Sequence, residues 1–301
     1  MIKINNVTKL FGEKKALNNI SFRIEEGSVF GLVGSNGAGK STLLRILAGV
    51  FEADGGETLI DGSIPFENPS IKAQCAFVSD FPYFYSGATL TSTAEYYSSV
   101  YQTWDKARFN ELKSIFPIDP HQKIATMSKG MQRQTAIILA LSYNPKYIFF
   151  DEIFDGLDPV IRELVKKILI EYVDKTNATV VIASHNLREL EGFCDHIGLL
   201  HLGGILLEKD IDGDSIGLYR LQFVMADEDY NEIKPSLNII KETRQGKMIE
   251  ITVKGEPEVI NEIINSKAPV YSETLPLTLE ELFISEMEVA GYDINNLKIQ
   301  K

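Results

Sequence analysis

Gly34-Ser35-Asn36-Gly37-Ala38-Gly39-Lys40-Ser41 fits the pattern G-x-x-x-x-G-K-[ST]. Glycines at this spacing let successive backbone N–H groups turn toward bound phosphates, and a helix that follows adds the positive end of its dipole. Lys40 then reaches the β and γ oxygens of a nucleotide, Ser41 offers a hydroxyl to Mg2+, and Thr42 adds a hydroxyl at the α-phosphate. A glycine turn alone is ordinary, so the flanks decide. Before the loop lies an apolar strand pattern, 28–33, and after it a helical pattern, 41–50, with Leu43, Leu44, Ile46, Leu47 and Val50 on one face. Strand, glycine loop and helix together read as a phosphate-binding turn.

Outward from this unit, 2–7 and 19–24 alternate as strands, and Glu25-Glu26-Gly27 supplies a turn. Residues 89–116 read as helical, as do 128–142 and 160–173, while 147–150 and 178–183 are apolar and β-rich. Strands alternating with helices imply an α/β protein whose parallel sheet is covered on both faces.

A phosphate loop that hydrolyses its ligand needs a carboxylate for the metal and a group to activate water. Tyr147-Ile148-Phe149-Phe150-Asp151-Glu152 ends an apolar strand in two acids, which assigns Asp151 to Mg2+ and Glu152 to the attacking water. His185 leaves the 178–183 strand at the same sheet edge, where it meets a γ-phosphate.

The chain has 301 residues, enough for two domains at about 150 residues each. Its 42 acidic against 30 basic residues give a net charge of −12, which argues against a nucleic-acid backbone as partner. The most apolar stretch, 135–150, is interrupted by Asn144, Pro145 and Lys146, so no spanning helix is expected. The first residues lack a secretory pattern, and Cys75 and Cys194 are expected as reduced packing residues. After 210–214 the character changes: residues 213–301 hold nine basic and sixteen acidic side chains. They read as strand 217–225, helix 227–236, a hairpin through Arg244-Gln245-Gly246-Lys247, helix 257–266, strand 269–273 and helix 278–287. That is a split βαβ order, expected as a small α+β domain of ferredoxin-like strand order, with 1–212 as the first domain.

The elements so far would equally serve a kinase or a GTPase. Met127-Ser128-Lys129-Gly130-Met131-Gln132-Arg133 discriminates: it opens a helix with Ser128 as N-cap and Gly130 leaving the backbone bare. Together these motifs resemble the ATP-binding subunit of an ABC transporter. Residues 127–131 are similar to its LSGGQ signature, keeping Ser128 and Gly130 and departing at Lys129 and Met131 as the bacitracin- and multidrug-export branch does. Phe11 matches the aromatic that stacks on adenine, and Gly156-Leu157-Asp158 matches the D-loop, whose aspartate lies at the dimer seam. Asp80 stands where the family usually has Gln near the metal; a shorter, negative side chain there reaches Mg2+ through water.

The resemblance covers about 210 residues. It implies a P-loop NTPase core with a parallel sheet, an antiparallel β subdomain and a helical subdomain at about 87–145. It also implies two ATPase subunits, alike or related, arranged head to tail, so that Ser128, Gly130 and Asp158 of one close over ATP held by Lys40 of the other. A separate transmembrane permease would be driven by that cycle, with the chain peripheral on the cytoplasmic face of the membrane. The cluster Phe81-Pro82-Tyr83-Phe84-Tyr85 offers a docking surface for it, with core packing as the alternative. Soluble ABC ATPases of translation carry two cassettes, and those of repair insert long coiled coils between loop and signature; neither feature is present. A small-molecule kinase has no use for the signature.

Overall fold

The structure, a computed structural model, describes residues 1–210, 218–275 and 281. The chain separates into two compact units, Met1–Lys209 and Asp210–Lys301. In the first, strands β1 (Ile2–Phe11), β2 (Lys14–Ile24), β3 (Val29–Val33), β4 (Gly55–Ile60), β5 (Cys75–Val78), β6 (Tyr147–Asp151), β7 (Thr179–Ser184), β8 (His196–His201) and β9 (Gly204–Asp210) form two sheets. An antiparallel sheet runs β2-β1-β4. A six-stranded sheet runs β5-β6-β7-β3-β8-β9, and β5, β6, β7, β3 and β8 are parallel. β9 returns against β8 through Leu202-Gly203, both at positive φ as a two-residue hairpin turn requires.

Helices α1 (Lys40–Leu47), α2 (Pro69–Lys72), α3 (Leu90–Val100), α4 (Lys106–Ile115), α5 (Lys129–Leu141), α6 (Pro159–Thr176) and α7 (Leu187–Leu190) connect and cover the strands. β3, β6 and β7 are buried at every position, as a two-face-covered parallel sheet demands. Leu43, Leu44 and Leu47 of α1 enter the core with Phe149 and Val181, each burial stabilising by about 1.5–3 kcal/mol.

Two expectations shift. The helix after the glycine loop ends at Leu47, and Val50 is exposed, because Gly49 takes a left-handed φ of 66° and Val50 N–H turns back to the Arg45 carbonyl. The single helical run 89–116 divides at Tyr101: Asp105 caps a new helix through the Arg108 N–H, and its own N–H donates to the Ser142 carbonyl. Strands β4, β8 and β9 are additions to the sequence reading. Cys75 and Cys194 are buried and free.

In the second unit, β10 (Leu218–Val224), α8 (Asp227–Ile233), β11 (Asn238–Gln245), β12 (Met248–Lys254), α9 (Pro257–Asn265) and β13 (Tyr271–Leu275) follow in order. The sheet runs β11-β12-β10-β13 with every neighbour antiparallel, the order of a ferredoxin-like fold. Phe223, Tyr230, Ile251 and Ile264 centre its own core. The expected helix 278–287 lies outside the described residues, Glu281 excepted.

Asp61, just after β4, ties the antiparallel sheet to the start of β6. Tyr147 Oη donates to its Oδ1 at 2.6 Å and Lys146 Nζ to its Oδ2 at 2.9 Å. Burial pushes the carboxyl up, but the Tyr147 and Lys146 hydrogen bonds outweigh it and hold the group at about 2. A carboxylate lowered on folding contributes stability above its unfolded pKa of about 3.9 and loses it as pH falls toward 2. Asp61→Ala is expected to cost about 1 kcal/mol at pH 7, with the partly exposed Lys146 pair discounted for screening, and progressively less below about pH 4. Urea unfolding of both chains at pH 7 and pH 3 checks this; an undiminished difference at pH 3 contradicts it.

Candidate active site

The phosphate loop leaves β3 at Val33. Gly34 admits no side chain, since a Cβ there would lie 2.2 Å from the Leu200 carbonyl. Gly39 has φ 111°, and its Cβ would meet the Ala16 carbonyl at 2.4 Å. The loop closes on itself through Ala38 N–H to the Ser35 carbonyl at 3.1 Å. Lys40 is 5% exposed; its Nζ donates to the Gly34 carbonyl at 2.7 Å and the Ser35 carbonyl at 3.2 Å, and stands 3.5 Å from Glu152 Oε1. Burial pulls its ammonium pKa down, opposed by the Glu152 and Asp151 carboxylates.

Two strands away, β6 ends in Asp151, 1% exposed, whose Oδ1 accepts the Ser41 hydroxyl at 2.9 Å. Burial raises the Asp151 carboxyl; Ser41 and Arg45 hold it down, and the nearby charges of Glu152 and Asp80 push it up. Glu152 turns out of the strand with φ 51°, a left-handed conformation uncommon outside glycine, while its N–H bonds the Ala183 carbonyl at 2.9 Å. One carboxylate oxygen faces Lys40; the other accepts the His185 N–H at 3.3 Å and meets His185 Nδ1 at 2.8 Å. Glu189, which sequence reasoning missed, anchors the turn carrying His185: its buried carboxylate accepts from Ser184 Oγ at 2.9 Å and Asn186 Nδ2 at 3.2 Å.

A cavity of about 280 Å³ brings together Phe11, Asn36, Gly37, Gly39, Lys40, Ser41, Thr42, Asp80 and Glu152. Lys14 and Ala16 complete it; Lys14 is a further omission of the sequence reading, although it is the strand partner of Phe11. Phe11 is half exposed and meets Phe51 edge-on at 5.7 Å. Asp80 borders the cavity with its carboxylate paired to Arg133.

Ser128, Gly130 and Asp158 do not join that cavity. They line a second one of about 360 Å³ with Pro117, Met131, Gln134, Gly156, Leu157 and Ile161. Within the single chain Ser128 caps α5 by accepting the Met131 N–H at 3.2 Å, and Asp158 caps α6 by accepting from Val160 and Ile161 N–H, both at 3.0 Å. A Cβ on Gly130 would lie 2.7 Å from the Gly156 carbonyl, which explains the glycine. Phe81, Tyr83 and Tyr85 are exposed, so the core-packing alternative does not hold for these three rings. Among the described residues no helix is long and apolar enough to cross a membrane.

A family model described as ABC transporter matches residues 17–155, a span that contains the phosphate loop, the signature and both acids. An uncharacterized ABC transporter ATP-binding protein of Methanocaldococcus jannaschii is 30% identical over 289 residues, covering 95% of this chain and 98% of its own length. The lantibiotic transport ATP-binding protein SrtF of Streptococcus pyogenes is 31% identical over 226 residues, 71% of this chain and 92% of its own. Among solved structures, a dimeric ATP-binding cassette in a post-hydrolysis state with ADP and Pi superposes with a TM-score of 0.64 at 25% identity, over 71% of this chain and 100% of that one. With kinship this extensive on top of the phosphate loop and its two acids, the chain belongs to the ATP-binding proteins of ABC transporters, an ATPase family.

Proposed function

We propose that this ATPase works in pairs to power export through a separate membrane permease. The observation that carries the reading is the separation of its functional residues into two cavities that share none of them. One cavity has the loop, Asp151's partner Ser41 and Glu152; the other has Ser128, Gly130 and Asp158. Two chains placed head to tail would set the second cavity of each over the first of the other, whether the pair is a homodimer or a heterodimer with a related subunit.

In this reading the triphosphate replaces the loop carbonyls as partner of Lys40, and the loop N–H groups take the remaining oxygens. Ser41 and Asp151 are the residues that would hold Mg2+, because a hydroxyl and a buried carboxylate raised by desolvation suit a hard cation with oxygen ligands. Mg2+, when bound, supplies neutralising charge to the phosphate oxygens. Asp80, at the rim, acts on it through water. Glu152 takes the proton of the attacking water, and its strained backbone aims the carboxylate back over the loop. His185 holds Glu152 through Nδ1 and turns its second ring nitrogen to the γ-phosphate. Phe11 stacks on adenine.

The exposed Tyr83 lines a cavity of about 270 Å³ with Phe84, Tyr97, Tyr101 and Tyr143, and with the exposed rings of Phe81 and Tyr85 it makes a surface suited to a cytoplasmic helix of the permease. Docked there, the chain sits on the inner face of the membrane. The name of the lantibiotic relative supports an amphipathic peptide or drug as cargo. The unit after Lys209 tunes assembly and does no chemistry, since every residue of the two cavities precedes it. Nucleic acid has no part in the cycle.

Glu152→Gln keeps the shape of the carboxylate and removes its basicity, so kcat is expected to fall by about 100-fold or more while ATP affinity stays within about threefold. Steady-state hydrolysis and nucleotide titration check both halves, and wild-type turnover in the mutant contradicts the assignment. Ser128→Arg is expected to leave ATP affinity of the monomer within about threefold and to abolish the steep dependence of hydrolysis on protein concentration, because its bulk lies on the facing surface of the pair. Weakened ATP binding by the dilute monomer is the contrary result.

A further inference from the structure

Among the described residues only two cations are buried, Lys40 and Arg133. Lys40 belongs to the phosphate loop; Arg133 has no place in the mechanism above. It projects from α5, is 3% exposed, and spreads its guanidinium between the loops that follow β5 and β6. Nη2 donates to the Asp80 carboxylate and, at 3.2 Å, to the Asp80 carbonyl. Nη1 donates to the Asp155 carbonyl and lies 3.5 Å from Asp155 Oδ2. One side chain thus joins the rim of the nucleotide cavity, the loop after Glu152 and the helix that starts at the signature.

The charge inventory gives this contact a meaning. Asp80 and Glu152 on the cavity wall and Asp151 behind Ser41 are three carboxylates against two ammonium groups, Lys40 and Lys14, and the ligand of the cavity is a polyanion. Asp151 and Glu152 serve the metal and the attacking water directly, and Asp80 reaches the metal only through water. An unpaired carboxylate at position 80, on the cavity wall beside Lys40, Ser41 and Glu152, would repel phosphate oxygens. Nη2 of the buried guanidinium, bonded to both the carboxylate and the carbonyl of that residue, supplies a counter-charge and fixes the direction of the carboxylate.

We infer that Arg133 is a positioning residue of the nucleotide site: it neutralises Asp80 and holds its carboxylate toward α5, so that an acid is tolerated on the wall of an ATP cavity. The inference rests on the reading of that cavity as the ATP site. It makes Arg133 necessary only while residue 80 is charged, which a purely structural arginine would not be.

The test is equilibrium titration of the full-length chain with a fluorescent ATP analogue in EDTA, in four versions: wild type, Arg133→Gln, Asp80→Asn and the double variant, each with its thermal unfolding midpoint. Arg133→Gln is expected to weaken binding at least about tenfold in the wild-type background and by less than about threefold in the Asp80→Asn background. Equal weakening in both backgrounds, or none in either, overturns the inference. Should Arg133→Gln fail to fold, Arg133→Lys asks the same question. It restores charge without the fork and is expected to bind within about threefold of wild type, whereas a loss of about tenfold or more overturns the inference. Lys40→Ala separates this from the underlying reading: full affinity in that variant would refute the ATP site itself, while lost affinity upholds the site and lets the four-way comparison decide the role of Arg133.

Discussion

Parallel pairing of β6, β7 and β3 is the constraint on which everything else rests. In this register Val33 faces Ser184 and Asp151 faces Ala183, so three strands end within one residue step of each other. The glycine loop, Glu152 and His185 therefore emerge at one edge although they are far apart in sequence. The hydrogen bond from Ser41 to Asp151 at 2.9 Å spans 110 positions and follows directly from that alignment. Open parallel sheets place their ligands at this carboxyl edge because the strand ends and helix starts there leave backbone N–H groups unpaired.

Burial at that edge is costly, and the cost has a use. Lys40 is pulled down and Asp151 pushed up, both by desolvation, so each charge is held where it lacks its best partner. Buried charges of this kind are strongly destabilising when left alone, and a ligand with phosphate oxygens and a divalent cation satisfies both at once. Lys40 meanwhile uses the loop carbonyls and Glu152 as partners. Arg133 and Asp80 repeat the arrangement nearby, as an internal pair that needs no ligand.

Local chemistry was legible in sequence, and long-range geometry was not. The glycine loop, the apolar strand ending in Asp151-Glu152 and the capping serine each write their role into adjacent residues. The edge strand β4 escaped notice because it opens with Gly55-Gly56 and shows little alternation. The break between α3 and α4 depends on Asp105 bonding to Ser142, far along the chain. Arg133 and Lys14 carried no local signal either, since a single Arg in a helix and a Lys in a Lys pair are ordinary on a surface, whereas Glu189 stands three residues after the N-cap Asn186, a capping-box spacing that does mark it. Only the fold brings Arg133 to Asp80, 53 positions upstream, and makes both more than solvated charges.

That Ser41 and Asp151 form one metal and phosphate site with the glycine loop can be tested by pulsed electron paramagnetic resonance, with Mn2+ in place of Mg2+ and ATP added to the full chain and to Asp151→Asn. Phosphorus hyperfine couplings to the bound Mn2+ are expected in the native chain. The variant is expected to bind Mn2+ about tenfold or more weakly, with ATP still held by the loop. Mn2+ held without phosphorus coupling, or held equally well without the Asp151 carboxylate, would contradict a shared site.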